Sequence, residues 1–385
     1  MWTVAKLKKW LQPGWPRTRA NGARLSTQPS NKLTIVSDKP QAAISCQNVW
    51  QVFGPDADSA LSGALSAHFD SETAAAALRE KGLIPAVQDA NFEVAEGELF
   101  VIMGLSGSGK STLIRCISHL LHATHGEIRI DGENIVEATP ARLIELRRNK
   151  LGMVFQHFGL FPHMSVADNV AYPLRVQGMK RKARLEKAQK VIDLVGLGGR
   201  EKHYPRELSG GQRQRVGIAR SLVADCSVWF LDEPFSALDP LIRRQLQDEF
   251  LQIQAELKTT IVFITHDINE ALKLADRIAI MRDGKIVQIG TPSDIILNPV
   301  DDYVREFSKD VAKGQHAKLT SVMQTGEGLV YGADDPGLRV DMTLDAALAR
   351  CMDLYEPVPV RDKDGELLGV VNPADLAAAL HVEAG

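Results

Sequence analysis

Long apolar runs are missing from this sequence of 385 residues. No stretch approaches the roughly 18 consecutive apolar residues that a membrane-spanning helix needs, so any work at a membrane would borrow the helices of another chain. An excess of one charge is missing too. The 45 Lys and Arg stand against 48 Asp and Glu, a net of −3, which excludes the strongly basic character of a nucleic-acid-binding domain. Cysteine is scarce. Cys46, Cys116, Cys226 and Cys351 are far apart and form no C-x-x-C pair, which argues against a zinc site or disulfide framework and for reduced, cytoplasmic thiols. The length suits two domains, one of them large enough for a full core.

What is present is organised around one glycine-rich turn, Gly104-Leu105-Ser106-Gly107-Ser108-Gly109-Lys110-Ser111. It fits G-x-x-x-x-G-K-[ST], with the apolar run 99–103 before it as a buried strand and a helix from Thr112 after it. Gly104, Gly107 and Gly109 tolerate positive φ and leave room for phosphate, so successive N–H groups can face an anion. The helix starting at Lys110 adds its positive dipole end. In this pattern Lys110 reaches the β- and γ-phosphates, and the Ser111 hydroxyl ligates Mg²⁺.

Around this loop the chain alternates strand and helix patterns. Residues 44–53 read as a strand ending at Gly54, and the Ala-rich stretch 72–79 within 55–83 as a helix. Strands follow at 87–94 and 98–103, separated by a turn at Glu96-Gly97, then at 126–132 and 152–155. Residues 180–195 have helical periodicity. The apolar runs 228–231 and 260–264 suit parallel strands buried on both faces, with an amphipathic helix over 242–257 between them. Residues 277–281 and 285–289 form a hairpin turning at Asp283-Gly284. A polar stretch, 309–318, reads as a linker to a smaller unit. Residues 1–40 carry eight Lys and Arg against one acid. They read as a disordered extension or an upstream start, with a lipid-resting basic helix over 1–11 and an acid-poor targeting segment as alternatives.

Two acids, Asp232-Glu233, end the 228–231 strand at the carboxyl edge of a parallel sheet, where such sheets bind ligands. Asp232 is placed to hold Mg²⁺ and Glu233 to act as general base toward water. Gln156, after the 153–155 strand, can reach both metal and water, and His266, after the 261–264 strand, the γ-phosphate. Leu208-Ser209-Gly210-Gly211-Gln212 is a second glycine turn opening a helix over 213–224, hence a second anion site. One triphosphate needs one cradle, so the second points to completion by another copy.

In order, the 104–111 loop, Gln156, 208–212, Asp232-Glu233, Ser236-Ala237-Leu238-Asp239 and His266 resemble the Walker A, Q-loop, signature, Walker B, D-loop and switch-histidine motifs of an ABC-transporter ATPase. The resemblance spans residues 44–307. It implies an α/β fold of the ABC type of P-loop NTPase: a RecA-like core with a parallel sheet, an antiparallel β subdomain and a helical signature subdomain. It also implies a head-to-tail homodimer holding two ATP with Mg²⁺. The nucleotide set it implies is Phe53 (stacked on adenine, with Trp50 as competitor), Gly104, Ser106, Gly107, Gly109, Lys110, Ser111 and Thr112. Gln212 and Asp239 complete the set with Ser209 and Gly211, which the resemblance brings from the other copy. The catalytic set is Glu233, His266 and Gln156, and the metal set Ser111, Gln156 and Asp232.

Within that family the chain resembles the ATP-binding subunits of quaternary-amine importers for glycine betaine, proline betaine and choline. The long insertion 55–83 and the stretches 101–109, 235–243 and 298–304 carry this, whereas Gln212 and Pro234 are general ABC choices. Implied partners are a membrane permease gripped through the segment from Phe158 to Pro162 and an external substrate-binding protein, with no nucleic acid. The implied place is the cytoplasmic face of a bacterial inner membrane. The C-terminal stretch reads helix, strand, Asp-Gly turn, strand, helix and resembles one CBS motif. The expected layout is thus 1–40 extension, 41–310 ATPase with its helical subdomain at about 157–225, and 319–385 CBS-like regulatory unit. An importer for an unrelated substrate such as an amino acid, a soluble non-transport ABC ATPase and a regulatory binding protein without turnover are the rival readings.

Overall fold

A computed structural model describes residues 42–155, 159–236, 238–309, 311–325, 337–351 and 356–381. The basic N-terminal segment, Gln156 and the Phe158 end of the expected permease contact lie outside them.

The chain opens with β1 (Ala42–Phe53), followed by the helices α1 (Ala57–Ser66) and α2 (Ser71–Glu80) and by β2 (Ile84–Ala95). The 55–83 insertion therefore holds two helices where the sequence reading gave one. They form a hairpin whose Leu61, Ala74 and Leu78 close over Trp50 and Val52 of β1. Asp70 starts α2 by accepting the Thr73 N–H at 2.7 Å, an N-cap that local sequence encodes. Next come β3 (Leu99–Met103), α3 (Lys110–Ile117), β4 (His125–Ile130), β5 (Glu133–Asn134), α4 (Pro140–Asn149) and β6 (Leu151–Val154). A helical layer follows, α5 (Val166–Val176), α6 (Arg181–Leu194) and α7 (Gly210–Leu222). The chain then returns to the sheet through β7 (Val228–Asp232), α8 (Pro240–Leu257), β8 (Thr260–Thr265), α9 (Ile268–Leu274), β9 (Arg277–Arg282) and β10 (Lys285–Gly290).

Two sheets result: a four-stranded sheet in the order β2-β1-β4-β5 and a six-stranded sheet in the order β10-β9-β3-β8-β7-β6. The first is antiparallel, and the second is parallel except at its β10 edge. The Glu96-Gly97 turn thus carries the chain from one sheet to the other rather than closing a hairpin.

The continuous apolar strands are explained by their two covered faces. In β3, Phe100 and Ile102 enter the core between the two sheets, while Leu99, Val101 and Met103 enter the core shared with the helical layer. β7 and β8 divide in the same way, Phe230 and Val262 to one side, Leu231 and Phe263 to the other. Each such fully buried side chain contributes about 1.5–3 kcal/mol relative to exposure. The same alternation fixes register, since a one-residue slip would exchange the two cores.

After β10 come α10 (Pro292–Leu297), α11 (Asp302–Ser308), α12 (Lys313–His316), β11 (Leu338–Arg339), α13 (Leu344–Cys351), β12 (Val358–Arg361), β13 (Leu367–Val371) and α14 (Pro373–His381). The last three strands make a small mixed sheet, β11-β12-β13. The stretch read as a polar linker is packed instead. Ala317 is fully buried, the Lys318 N–H donates to Ser293 Oγ at 3.0 Å, and Gly314 lies where a Cβ would fall 1.6 Å from Asp345 Oδ1. Leu297 contacts both the main core and the core of the C-terminal unit. Polar composition misled because small residues, Gly314 and Ala317, do the packing.

Candidate functional site

Strands β3, β8 and β7 are neighbours, so the loops leaving their carboxyl ends converge. β3 delivers the 104–111 loop, β7 delivers Asp232-Glu233, and β8 delivers His266. All five apolar residues of β3 are buried, which gives the loop a rigid base.

The loop turns twice through backbone that only glycine tolerates. Gly104 has φ +154°, and an added Cβ would stand 2.2 Å from the Met281 carbonyl. Gly109 has φ +100°, and its Cβ would stand 2.2 Å from the Ala86 carbonyl. Met281 ends the buried part of β9, and the next turn, Asp283-Gly284, supports the loop from the same side: Gly284 N–H donates to Ser108 O at 3.0 Å. Ser106 and Gly107 are exposed at the loop's crest. Helix α3 starts at Lys110, so its first-turn N–H groups, Ser111 and Thr112 included, are the ones a helix leaves without partners of its own.

Lys110 is buried, and its Nζ donates to the Gly104 and Leu105 carbonyls at 2.8 and 2.9 Å. Burial pushes its pKa down, opposed by the charges of Glu233 and Asp232. The Ser111 hydroxyl donates to Asp232 Oδ1 at 3.2 Å. Asp232 is also buried, and its desolvation holds the carboxyl above the usual range against the Ser111 hydrogen bond. Two hard oxygen donors at this separation suit Mg²⁺, which completes its shell with phosphate and water oxygens. No group of three or more His, Cys, Asp or Glu able to hold a metal occurs among the described residues.

Glu233 has φ +45°, a left-handed backbone unusual for a glutamate. Such strain costs about 1–3 kcal/mol and concentrates at functional positions. Its turn is held by the Glu233 N–H to the Ile264 carbonyl at 3.1 Å and by Ser236 Oγ to the Glu233 carbonyl at 3.0 Å. The carboxylate meets the ring of His266, Oε1 to Nδ1 at 3.2 Å, with the imidazole largely exposed. Lys110, Ser111, Asp232, Glu233 and His266 are thus one cluster.

Ser209, Gly211, Gln212 and Asp239 form another. Ser209 accepts the Gln212 N–H and Gln212 Oε1 accepts the Ser209 N–H, a reciprocal capping box that starts α7 at Gly210, upstream of the 213 start read from sequence. A Cβ on Gly211 would meet Ile242 and Leu238 side chains at 3.2 and 3.7 Å. Asp239 caps α8 by accepting the Ile242 N–H at 3.0 Å. Arg243, which carried no motif, ties this second cluster to the segment after His266: it donates to the Leu238 carbonyl at 3.2 Å and to Asp267 at 3.3 Å.

Of the two aromatics weighed for adenine, Trp50 is 1% exposed under the α1–α2 hairpin and Phe53 is 40% exposed at the end of β1. Only Phe53 offers a face. Sequence reasoning held Tyr303 within the 298–304 stretch and Gly284 within a turn but missed the link of both, and of the Met281 carbonyl, to the loop, a link that spans nearly two hundred positions. The Asp283-Gly284 turn was visible, but nothing local says what it leans on.

A model of the ABC transporter family matches residues 87–236. The trimethylamine N-oxide transport system ATP-binding protein of Pelagibacter ubique is 48% identical over 333 residues, 86% of this chain and 96% of that protein. The glycine betaine transport ATP-binding protein of Bacillus subtilis is 42% identical over 344 residues, 89% of this chain and 79% of that protein. A solved dimeric bacterial ABC transporter cassette is 31% identical with a TM-score of 0.54, covering 65% of this chain and 98% of that one. A dimeric ATP-binding cassette in a post-hydrolysis state, bound to ADP and Pi, matches with the same TM-score at 30% identity. With the 104–111 loop, Asp232-Glu233 and His266 at converging strand ends and a relative 48% identical over 96% of its length, the chain belongs to the ABC transporter family, as one of its ATP-binding ATPase subunits.

Proposed function

We propose that two copies of this chain enclose ATP between them and that its hydrolysis drives import of a small solute with a fully alkylated nitrogen, of the betaine, choline or amine-oxide type. The observation that carries the catalytic part is the convergence of Ser111 on Asp232 and of Glu233 on His266, each at 3.2 Å, beside the Lys110 ammonium. The solute class is supported by the relatives, transport subunits for trimethylamine N-oxide and glycine betaine.

In this reading the first-turn amides of α3 and the Lys110 Nζ bind the β- and γ-phosphates, and Phe53 stacks on the adenine. Ser111, Asp232 and Gln156 hold Mg²⁺, which when bound neutralises charge building on the phosphate oxygens. Glu233 takes a proton from the attacking water, and His266 orients that carboxylate and touches the γ-phosphate. Ser209, Gly211 and Gln212 of a second copy close the site head to tail. Ser209 is exposed, Gly211 and Gln212 are half-buried, and the capping box leaves the turn preformed.

The permease contact is supported by a groove of about 450 Å³ between α4, β6, α5 and α7, lined by Ile144, Met153, Tyr172, Val176, Arg147 and Arg220. Its border is the described part of the expected contact segment. Arg220 donates to the Gly159 carbonyl at 2.7 Å, and the buried Asn169 binds both backbone groups of Phe161. An apolar floor with a cationic rim suits a short helix from the membrane partner. No helix among the described residues is long and apolar enough to cross a membrane itself. An external substrate-binding protein completes such an importer. The strand–helix–strand–strand–helix order of β11, α13, β12, β13 and α14 supports a CBS-like regulatory role for the C-terminal unit.

Two measurements test this. Glu233→Gln should lower steady-state hydrolysis by about 10²–10⁴-fold while an ATP-dependent dimer accumulates in light scattering; a monomer in saturating ATP would sink the composite site. Deleting the gene should abolish uptake of labelled trimethylamine N-oxide, glycine betaine or choline, whereas loss of amino-acid uptake alone would favour the rival importer.

A further inference from the structure

Tyr303 belongs to none of the motifs, yet its hydroxyl sits directly beneath the phosphate loop. The Oη donates to the Met281 carbonyl at 3.0 Å and accepts the Leu105 N–H at 3.5 Å, the first a firm hydrogen bond and the second a long one. Met281 O is the same carbonyl that crowds Gly104. One hydroxyl therefore fixes both the support under Gly104 and the amide of the residue after it.

Leu105 needs such an anchor. Its side chain is 59% exposed and buries little against the protein. Its carbonyl, with that of Gly104, receives the Lys110 ammonium. The Tyr303 ring is itself held. The Arg282 guanidinium lies 5.1 Å over its face, Phe307 meets it edge-on at 5.1 Å, and Arg282 pairs with Asp301, the residue that caps α11, at 3.7 Å. Burial raises the Tyr303 pKa, so the hydroxyl keeps the proton it donates.

We propose that Tyr303 is a positioning residue for ATP binding: its hydroxyl turns the Leu105 amide away from the phosphates and sets the two carbonyls that aim Lys110. This rests on reading residues 104–111 as the triphosphate site. Tyr303 touches no substrate and acts through the loop alone.

The test uses the purified full-length chain as wild type, Tyr303→Phe and Lys110→Ala, with ATP affinity by fluorescent-nucleotide competition, steady-state kinetics, melting temperature and amide hydrogen exchange. Tyr303→Phe keeps the ring, the Arg282 stacking and the Phe307 contact. It should raise both Kd and KM for ATP by about 3- to 10-fold, the range for losing one modest hydrogen bond, while leaving kcat within about twofold. Exchange of the peptide containing Leu105 should quicken and the melting temperature should hold. Wild-type affinity and exchange in Tyr303→Phe, beside weakened binding in Lys110→Ala, would overturn the positioning role alone. A lowered melting temperature with unchanged Kd, or a lowered kcat with unchanged KM, would overturn it too. Undiminished ATP binding by Lys110→Ala would instead overturn the reading of the loop.

Discussion

The two glycine turns of this chain are built on opposite plans. The loop at 104–111 is fixed from outside: Ala86, Met281, Gly284 and Tyr303 support it, from three elements distant in sequence. The turn at 209–212 is hydrogen-bonded within itself by the Ser209–Gln212 capping box; only Gly211 approaches an outside element, the Leu238 and Ile242 side chains, and a Cβ on Gly210 would meet nothing within 4 Å. The difference follows from what each must do. A loop that holds phosphates in register for in-line chemistry needs its amides and its lysine set to a fraction of an ångström. A turn that, in the proposed dimer, meets a second copy needs only to be preformed and reachable.

The sharpest way to break this comparison is to add one methyl to each turn. Gly109→Ala forces a Cβ onto the Ala86 carbonyl at positive φ, and ATP affinity and turnover should each fall at least about 100-fold, the scale of an ångström-sized misplacement. Retained turnover would mean the loop is not externally fixed. Ser209→Ala removes the cap, worth about 1 kcal/mol to α7. Hydrolysis should fall about tenfold, since a preformed donor is lost in the dimer, while ATP binding to the monomer stays put; weaker monomer binding would place the second turn in the same chain's site.

A smaller effect comes from Asp232. Burial holds its folded pKa above the ordinary 3.8, so folding favours the protonated acid. Stability from this group is greatest below the unfolded value, falls as pH rises through the folded value, and is a standing cost at neutral pH. Asp232→Asn should therefore raise the nucleotide-free melting temperature at pH 7, with the gain vanishing at low pH, while Mg²⁺-dependent hydrolysis is lost. Calorimetry across pH would expose a wrong sign. The smallest change is Gly210→Ala. It sits in open space at the start of a helix, so it should leave monomer ATP binding unchanged and stabilise by at most about 1 kcal/mol.

The contrast also explains how much could be read beforehand. The glycine spacing and the acidic pair at a strand end are local patterns, and the structure has both where the sequence put them, whereas the Ser209–Gln212 capping box, equally local, was passed over and the helix start placed three residues late. The parallel strands were legible because two covered faces leave a continuous apolar run. What stayed hidden depends on contacts between distant segments: Tyr303 beneath Leu105, Arg243 between Leu238 and Asp267, and the first helix of the 55–83 insertion, whose Leu61 packs in one core with Trp50. The packed stretch at 309–318 was misread for a related reason. Polar residues line it, but the buried Gly314 and Ala317 decide what it touches.

Leu297, shared by two cores, sets a rule for rebuilding this chain. A graft that exchanges the C-terminal unit at residues 309–318 would cut through a packed seam, leaving Leu297 facing a foreign surface and Ser293 without the Lys318 amide. Moving the cut upstream does not help, because Ile295, Ile296 and Val304 belong to the main core and Tyr303 supports the phosphate loop, so α10 and α11 stay with the ATPase core and a graft must reproduce the surface that Leu297 meets.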